Sequence, residues 1–241
     1  MSLSLQEIKK NILVCRENVE RALKAAGRTD EVTMVAAVKT QSKELIEQVV
    51  RSGLISDIGD NRVQELLANY DPDLKVRRHF IGRLQTNKVK YIADKVCLIH
   101  SLDRDELAYE IDRQARKRSL VMNCLVEVNM GSEISKGGVP PEEALGFAES
   151  VKKYANVRVR GLMSVMPNLD DRERLIALYE DLRTLYEDMR SRFEGIDTLS
   201  CGMTGDYEIA VRYGGSNMIR PGRILFGERV YTEQKNGQTQ L

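Results

Sequence analysis

Histidine is scarce in this 241-residue chain: only His79 and His100 occur, so a histidine-rich metal centre is excluded. Cysteine is nearly as sparse. Cys15, Cys97, Cys124 and Cys201 stand far apart with no CxxC pair, which argues for reduced thiols rather than a disulfide framework or a zinc site. No surplus of one charge exists, since 37 Lys and Arg face 36 Asp and Glu. A dedicated nucleic-acid binder needs excess cations to meet phosphates, so that class is disfavoured. No apolar run approaches the roughly 20 residues of a bilayer span, and the polar opening MSLSLQEIKK does not read as a signal peptide. The expectation is a soluble, cytoplasmic protein that contacts neither nucleic acid nor membrane.

What is present is a 42% hydrophobic chain, long enough for one large domain or two small ones. Leu5 to Ala26 carries apolar residues at near-helical spacing, and Gly27 sits where a helix-ending glycine belongs. After it, eight short apolar runs follow: Val32–Val38, Ile55–Gly59, His79–Gly82, Val96–Ser101, Met122–Asn129, Val157–Val165, Thr198–Met203 and Met218–Phe226. Amphipathic stretches separate them. Lys43–Ser52 and Asp103–Lys117 have helical spacing, and Pro140-Pro141-Glu142-Glu143 suits a first helical turn. Asp170–Phe193 is the longest, with Leu175, Leu178, Leu182, Leu185 and Met189 on one stripe.

Strand alternating with helix implies a parallel sheet. Eight repeats in this length fit a closed (β/α)8 TIM barrel of one domain, residues 1–241, preceded by an extra N-terminal helix. The competing architecture is an open doubly wound sheet, but no GxGxxG follows the first strand. Gln234–Leu241 reads as a short polar tail.

Active sites of such barrels lie at the C-terminal ends of the strands. Strand one ends Ala36-Ala37-Val38-Lys39-Thr40. A lysine there is usually just solvated. Over a barrel mouth with an apolar floor, desolvation instead favours the neutral amine, the form that attacks a carbonyl. Strand two ends Gly59-Asp60-Asn61-Arg62, where a helix N-cap is the simpler account of Asn61. His79, opening the third run, reads as a residue packed in or beside its strand, with no triad to join. The last two ends, Ser200-Cys201-Gly202-Met203-Thr204-Gly205-Asp206 and Ile219-Arg220-Pro221-Gly222-Arg223, combine hydroxyls, glycines and guanidinium groups. Phosphate sites in these barrels are often built after strands seven and eight, with glycine letting backbone N–H groups approach the anion. Tight turns with surface arginines are the plainer alternative. A carbonyl-seeking lysine facing a phosphate cradle suggests pyridoxal 5′-phosphate (PLP), which carries both groups.

At this point the chain resembles the pyridoxal-phosphate homeostasis proteins, which share the fold of the alanine racemase N-terminal barrel. The matching stretches are Ala37–Thr40, Ile58–Glu65, His79–Lys88, Gly161–Met163, Ser200–Thr204 and Phe226–Arg229. The resemblance implies that Lys39 forms an aldimine with PLP, that Ser200 and Thr204 hold the phosphate, and that Arg220 faces the pyridine nitrogen. It also brings Asn61, Gly222 and Arg223 into the cofactor-binding set. Four positions depart from the family pattern: Asp60 replaces the usual Glu, Thr204 replaces Ser, Pro221 replaces Ile, and Arg223 follows Gly222 where Thr or Ser is usual. The implied function is intracellular PLP homeostasis without strong catalysis, with apo PLP-dependent enzymes as partners. Alanine racemases add a C-terminal β-domain and a tyrosine from the partner subunit. Only 15 residues (241 − 226) follow Phe226 here, so a monomer is expected and a racemase-like enzyme is the second choice. The tyrosines Tyr207, Tyr213 and Tyr231 fall in no assignable motif. A lysine-dependent aldolase is a third reading, which needs an acid–base partner beside Lys39.

Overall fold

A computed structural model describes residues 3–131, 133 and 137–227. The first helix, α1 (Leu5–Ala25), starts at a capping box in which Ser4 and Glu7 satisfy each other's backbone N–H groups. It buries Ile8, Ile12, Cys15, Val19 and Ala22 on one face and gives way to Gly27 at φ 65°. There follow β1 (Thr33–Ala37), α2 (Lys43–Arg51), β2 (Asp57–Asp60), α3 (Val63–Ala68), β3 (Arg77–Phe80), α4 (Val89–Ile92), β4 (Leu98–Leu102) and α5 (Asp105–Arg116). The second half contains β5 (Met122–Val128), α6 (Ala144–Val151), β6 (Val157–Ser164), α7 (Arg172–Arg192), β7 (Thr198–Ser200), α8 (Tyr207–Arg212), β8 (Met218–Ile219) and α9 (Arg223–Phe226). Pro141–Glu143 forms a short 3-10 turn before α6.

All eight strands are parallel and close in sequential order, with β1 pairing β8 through Thr33↔Met218 and Met34↔Ile219. Each expected run therefore contributes one strand of a (β/α)8 barrel, with α1 as the additional helix. The α7 stripe is modified. Tyr179 and Tyr186 are buried with Leu175, Leu182 and Met189, while Leu178 and Leu185 are only partly buried. Tyr179 is drawn in because its hydroxyl donates to Asp206 Oδ2 at 2.7 Å, so a polar tip is satisfied while the ring packs. The polar tail at Gln234–Leu241, Tyr231 and the end of the Phe226–Arg229 motif lie outside the described residues.

Strand side chains alternate between helix-facing and interior positions. Val35, Leu98, Leu125, Met163 and Met218 fill the interior as one buried apolar cluster. Asp57, His79, His100, Ser200 and Arg220 are also buried. They share the parity of that inner face, two residues from a packed neighbour or directly aligned with one. No helix among the described residues is long and apolar enough to cross a membrane.

Candidate functional site

Beyond the strand C-termini lies a cavity of about 730 Å3. Lys39, Asn61, Thr204, Arg220, Gly222 and Arg223 all line it, so six of the seven expected cofactor-site residues meet in one place. Ala37 and Ile81 give it an apolar floor. Lys39 follows the buried Ala37 and Val38, and Thr40 beyond it holds φ 68°. That left-handed conformation is costly for a β-branched residue and turns the chain sharply after the lysine.

Asn61 does not cap a helix. The N-cap of α3 is Arg62, which has extended backbone and makes no side-chain cap bond. Asn61 Oδ1 is instead buried without a hydrogen-bond partner in the described structure, a polar atom still requiring a donor. Thr204 Oγ1 accepts from the backbone N–H groups of Gly222 at 3.4 Å and Ile224 at 3.3 Å. Those two donors converge on one hydroxyl oxygen at the cavity wall. Gly202 makes this loop possible. It sits at φ 92°, and a Cβ there would lie 2.7 Å from the Ala210 Cβ. The cavity's carboxylate, Asp206, is held by Tyr179 Oη on one oxygen and by Met203 N–H at 2.6 Å on the other.

Arg220 is 4% exposed, so it is no surface turn residue. Its Nη1 donates to Ser200 Oγ at 2.7 Å and its Nη2 to the Ser164 carbonyl at 2.9 Å. Both acceptors are neutral, and burial depresses the guanidinium pKa from its ordinary value. Ser200 is the one expected site residue that does not line the cavity. It is fully buried beneath it, and its hydroxyl is committed to Arg220 and, at 3.0 Å, to His100 Nδ1.

The two histidines, 21 positions apart in sequence, meet at 3.0 Å between His79 Nδ1 and His100 Nε2. Adjacent parallel strands bring residues some 20 positions apart into one layer: His79 aligns with Leu98, and His100 follows on the same face. His79 Nε2 continues to Asp57 Oδ1 at 2.9 Å. Burial, with the neighbouring His79 and Arg220, holds the His100 pKa well below the ordinary imidazole value. Burial opposes ionisation of Asp57, but hydrogen bonds from His79, Arg77 and Ser56 outweigh it and hold that carboxyl below the usual range. A polar residue recurring on the inner face of an apolar run was the available sequence signal for this column.

Residues 11–230 match the family model for the alanine racemase N-terminal domain. A pyridoxal phosphate homeostasis protein of Aquifex aeolicus is 42% identical over 219 residues, spanning 89% of this chain and 95% of the relative. Another from Vibrio cholerae is 32% identical over 235 residues, spanning 95% and 99%. A solved structure of PipY from Synechococcus elongatus with PLP bound superposes with a TM-score of 0.74 at 25% identity, covering 87% of this chain and 100% of PipY.

Proposed function

Because this chain belongs to the alanine racemase N-terminal domain family and is similar over most of its length to pyridoxal phosphate homeostasis proteins, we propose that it binds PLP and serves PLP homeostasis in the cytoplasm. It does so as a single-domain monomer that holds the cofactor and releases it to apo-enzymes. The observation that carries this reading is one cavity shared by Lys39, the Thr204 cradle and a buried arginine with only neutral partners. Lys39 would hold the aldehyde end of the cofactor through its Nζ as a Schiff base, with one water released. Thr204, the N–H groups of Gly222 and Ile224, and the Arg223 side chain receive the phosphate. Asn61 places its unpartnered oxygen toward a ligand donor. Ser200, expected on the phosphate, serves instead as the support of Arg220.

Bound PLP supplies an electron sink, strongest when its ring nitrogen is protonated through an acidic partner. Arg220 in that position offers the opposite. Its guanidinium only donates, and its charge disfavours a second positive charge beside it. Asp206, the cavity's carboxylate, is instead held by Tyr179 and the Met203 N–H, one on each oxygen. This chemistry favours storage over turnover.

The test is the visible absorbance of the purified protein, reconstituted with PLP, before and after borohydride. A band that borohydride abolishes is expected. A protein that stays colourless after reconstitution would remove the basis of the proposal. A second, smaller effect concerns the cradle. Thr204→Val should weaken PLP retention by about 1 kcal/mol, the size of a lost neutral hydrogen bond, with the melting temperature unchanged. Equilibrium dialysis checks it, and unaltered affinity would place the phosphate elsewhere.

A further inference from the structure

We propose that His100, His79 and Asp57 are positioning residues for Arg220, anchoring it through a one-way chain of hydrogen bonds that crosses the barrel interior. The inference rests on the PLP reading only in assigning Arg220 to the cofactor; the chain itself is independent of it. Its links run from Arg220 Nη1 to Ser200 Oγ at 2.7 Å, Ser200 to His100 at 3.0 Å, His100 to His79 at 3.0 Å, and His79 to Asp57 at 2.9 Å. Every member is buried.

The two ends set the direction. Arginine can only donate, and an ionised carboxylate can only accept. Ser200 accepts from Arg220, so its own proton goes to His100 Nδ1. His100 then carries its proton on Nε2 and gives it to His79 Nδ1, and His79 donates from Nε2 to Asp57. Arg77 Nε and Nη2, each at 2.7 Å, and Ser56 Oγ at 2.7 Å complete the shell of Asp57. The reverse polarity needs His79 as a cation. It would set two buried cations against one carboxylate and leave the Ser200 proton without an acceptor among the described residues.

Barrel interiors of this type are ordinarily filled by branched aliphatic side chains. A buried polar column is tolerated only when every member is satisfied. This one is, and it ends at the far mouth of the barrel, where Asp57, Arg77 and His79 line a second cavity of about 400 Å3. With Nη1 on Ser200 and Nη2 on Ser164, the plane of the Arg220 guanidinium is fixed, and two of its five N–H donors are engaged.

The chain's two histidines make the test direct. In cofactor-free protein labelled with 15N-histidine, both rings should appear as Nε2–H tautomers at pH 7. An Nδ1–H tautomer or a doubly protonated ring at either position overturns the one-way chain. The second arm uses His100→Phe, which keeps a ring and removes both nitrogens, with His100→Asn as the conservative rescue. His100→Phe should bind PLP roughly tenfold more weakly, as for a lost hydrogen bond to a charged group. It should also move the pH midpoint at which the bound cofactor changes its visible absorbance, and His100→Asn should restore part of both. Where His100→Phe melts far below the wild type, Ser200→Ala breaks the same chain one link nearer and takes the same readouts. Wild-type affinity and an unmoved midpoint in a folded variant overturn the positioning role. Failure of the wild type to bind PLP at all would instead sink the cofactor reading, leaving the tautomers to decide the chain.

Discussion

Lys39→Ala is expected to abolish the borohydride-reducible absorbance completely, while leaving a weak, dialysable affinity for PLP. The lysine stands at the end of a strand whose last residues are buried and apolar, and it lines the cavity with the Thr204 cradle. Alanine removes the only atom of that side chain able to form a bond to carbon. The cradle and Arg220 keep their own hydrogen bonds, which run from Gly222 and Ile224 to Thr204 and from Arg220 to Ser200 and Ser164. Lys39→Arg should fail equally, since a guanidinium is held protonated and cannot condense with an aldehyde. Peptide mapping after borohydride reduction of the wild type should mark Lys39. A label on another lysine, with Lys39→Ala still yellow, would reject the assignment.

The second large effect is on stability. Glu127 lies on β5 with one oxygen buried and unpartnered. Burial, reinforced by the nearby Asp103, pushes its carboxyl up to about 7, against the pull of Arg220, Arg83 and Arg104. Asp60 is likewise raised to about 6, by burial only partly offset by its 3.0 Å ion pair with Arg78. An unfolded carboxyl titrates near pH 4. Between there and pH 7 the folded state therefore binds more protons than the unfolded one, and stability falls as pH rises. The protein should be more stable at pH 5 than at pH 8. Asp57 does not disturb this window, because its depressed carboxyl stays ionised throughout. His100, held neutral by burial, opposes the trend below the ordinary imidazole range and is outweighed by the two carboxyls together. Glu127→Gln should flatten about half of the slope and gain about 2–3 kcal/mol at pH 8. Urea unfolding at the two pH values measures both. A slope unchanged in the variant would show that Glu127 is not its source.

Most strands were legible because they carry apolar runs, though β3, Arg77–Phe80, overlaps its run only at His79 and Phe80. Their number with the alternating helices sufficed for the barrel. Lys39, Thr204, Arg220 and Gly222 were legible for the same reason, since strand ends in a closed barrel face one mouth. The role of Ser200 was not. Strand ends can be counted along the chain, but how deep a side chain lies below the mouth depends on stagger between strands, which no local pattern encodes. His100 and Ser200 are 100 positions apart and meet only because β4 and β7 face each other across the closed interior. Asn61 carried two readings, since a residue before a helix resembles a cap until the cap itself is located, and the structure puts the cap at Arg62 and Asn61 in the cavity wall.

The closure of the barrel also orders events during synthesis. The lysine strand β1 pairs with β8, and the Ala37 N–H donates to the Pro221 carbonyl at 2.9 Å. The first helix waits on the same late residues: Asn18 Nδ2 donates to Tyr207 Oη at 2.7 Å and Asn11 Nδ2 to the Leu225 carbonyl at 3.1 Å. Residue 226 follows residue 39 by 187 positions (226 − 39), roughly 10–40 s of translation at ordinary rates of about 5–20 residues per second. Throughout that interval the amine exists without its cradle, and α1 lacks the surface that buries its apolar face. A ribosome-bound chain is therefore a poor trap for the cofactor. On the proposed PLP reading, loading belongs to the released, closed barrel, and the amount of cofactor held should respond to the free pool after synthesis and not to the rate at which new chains are made.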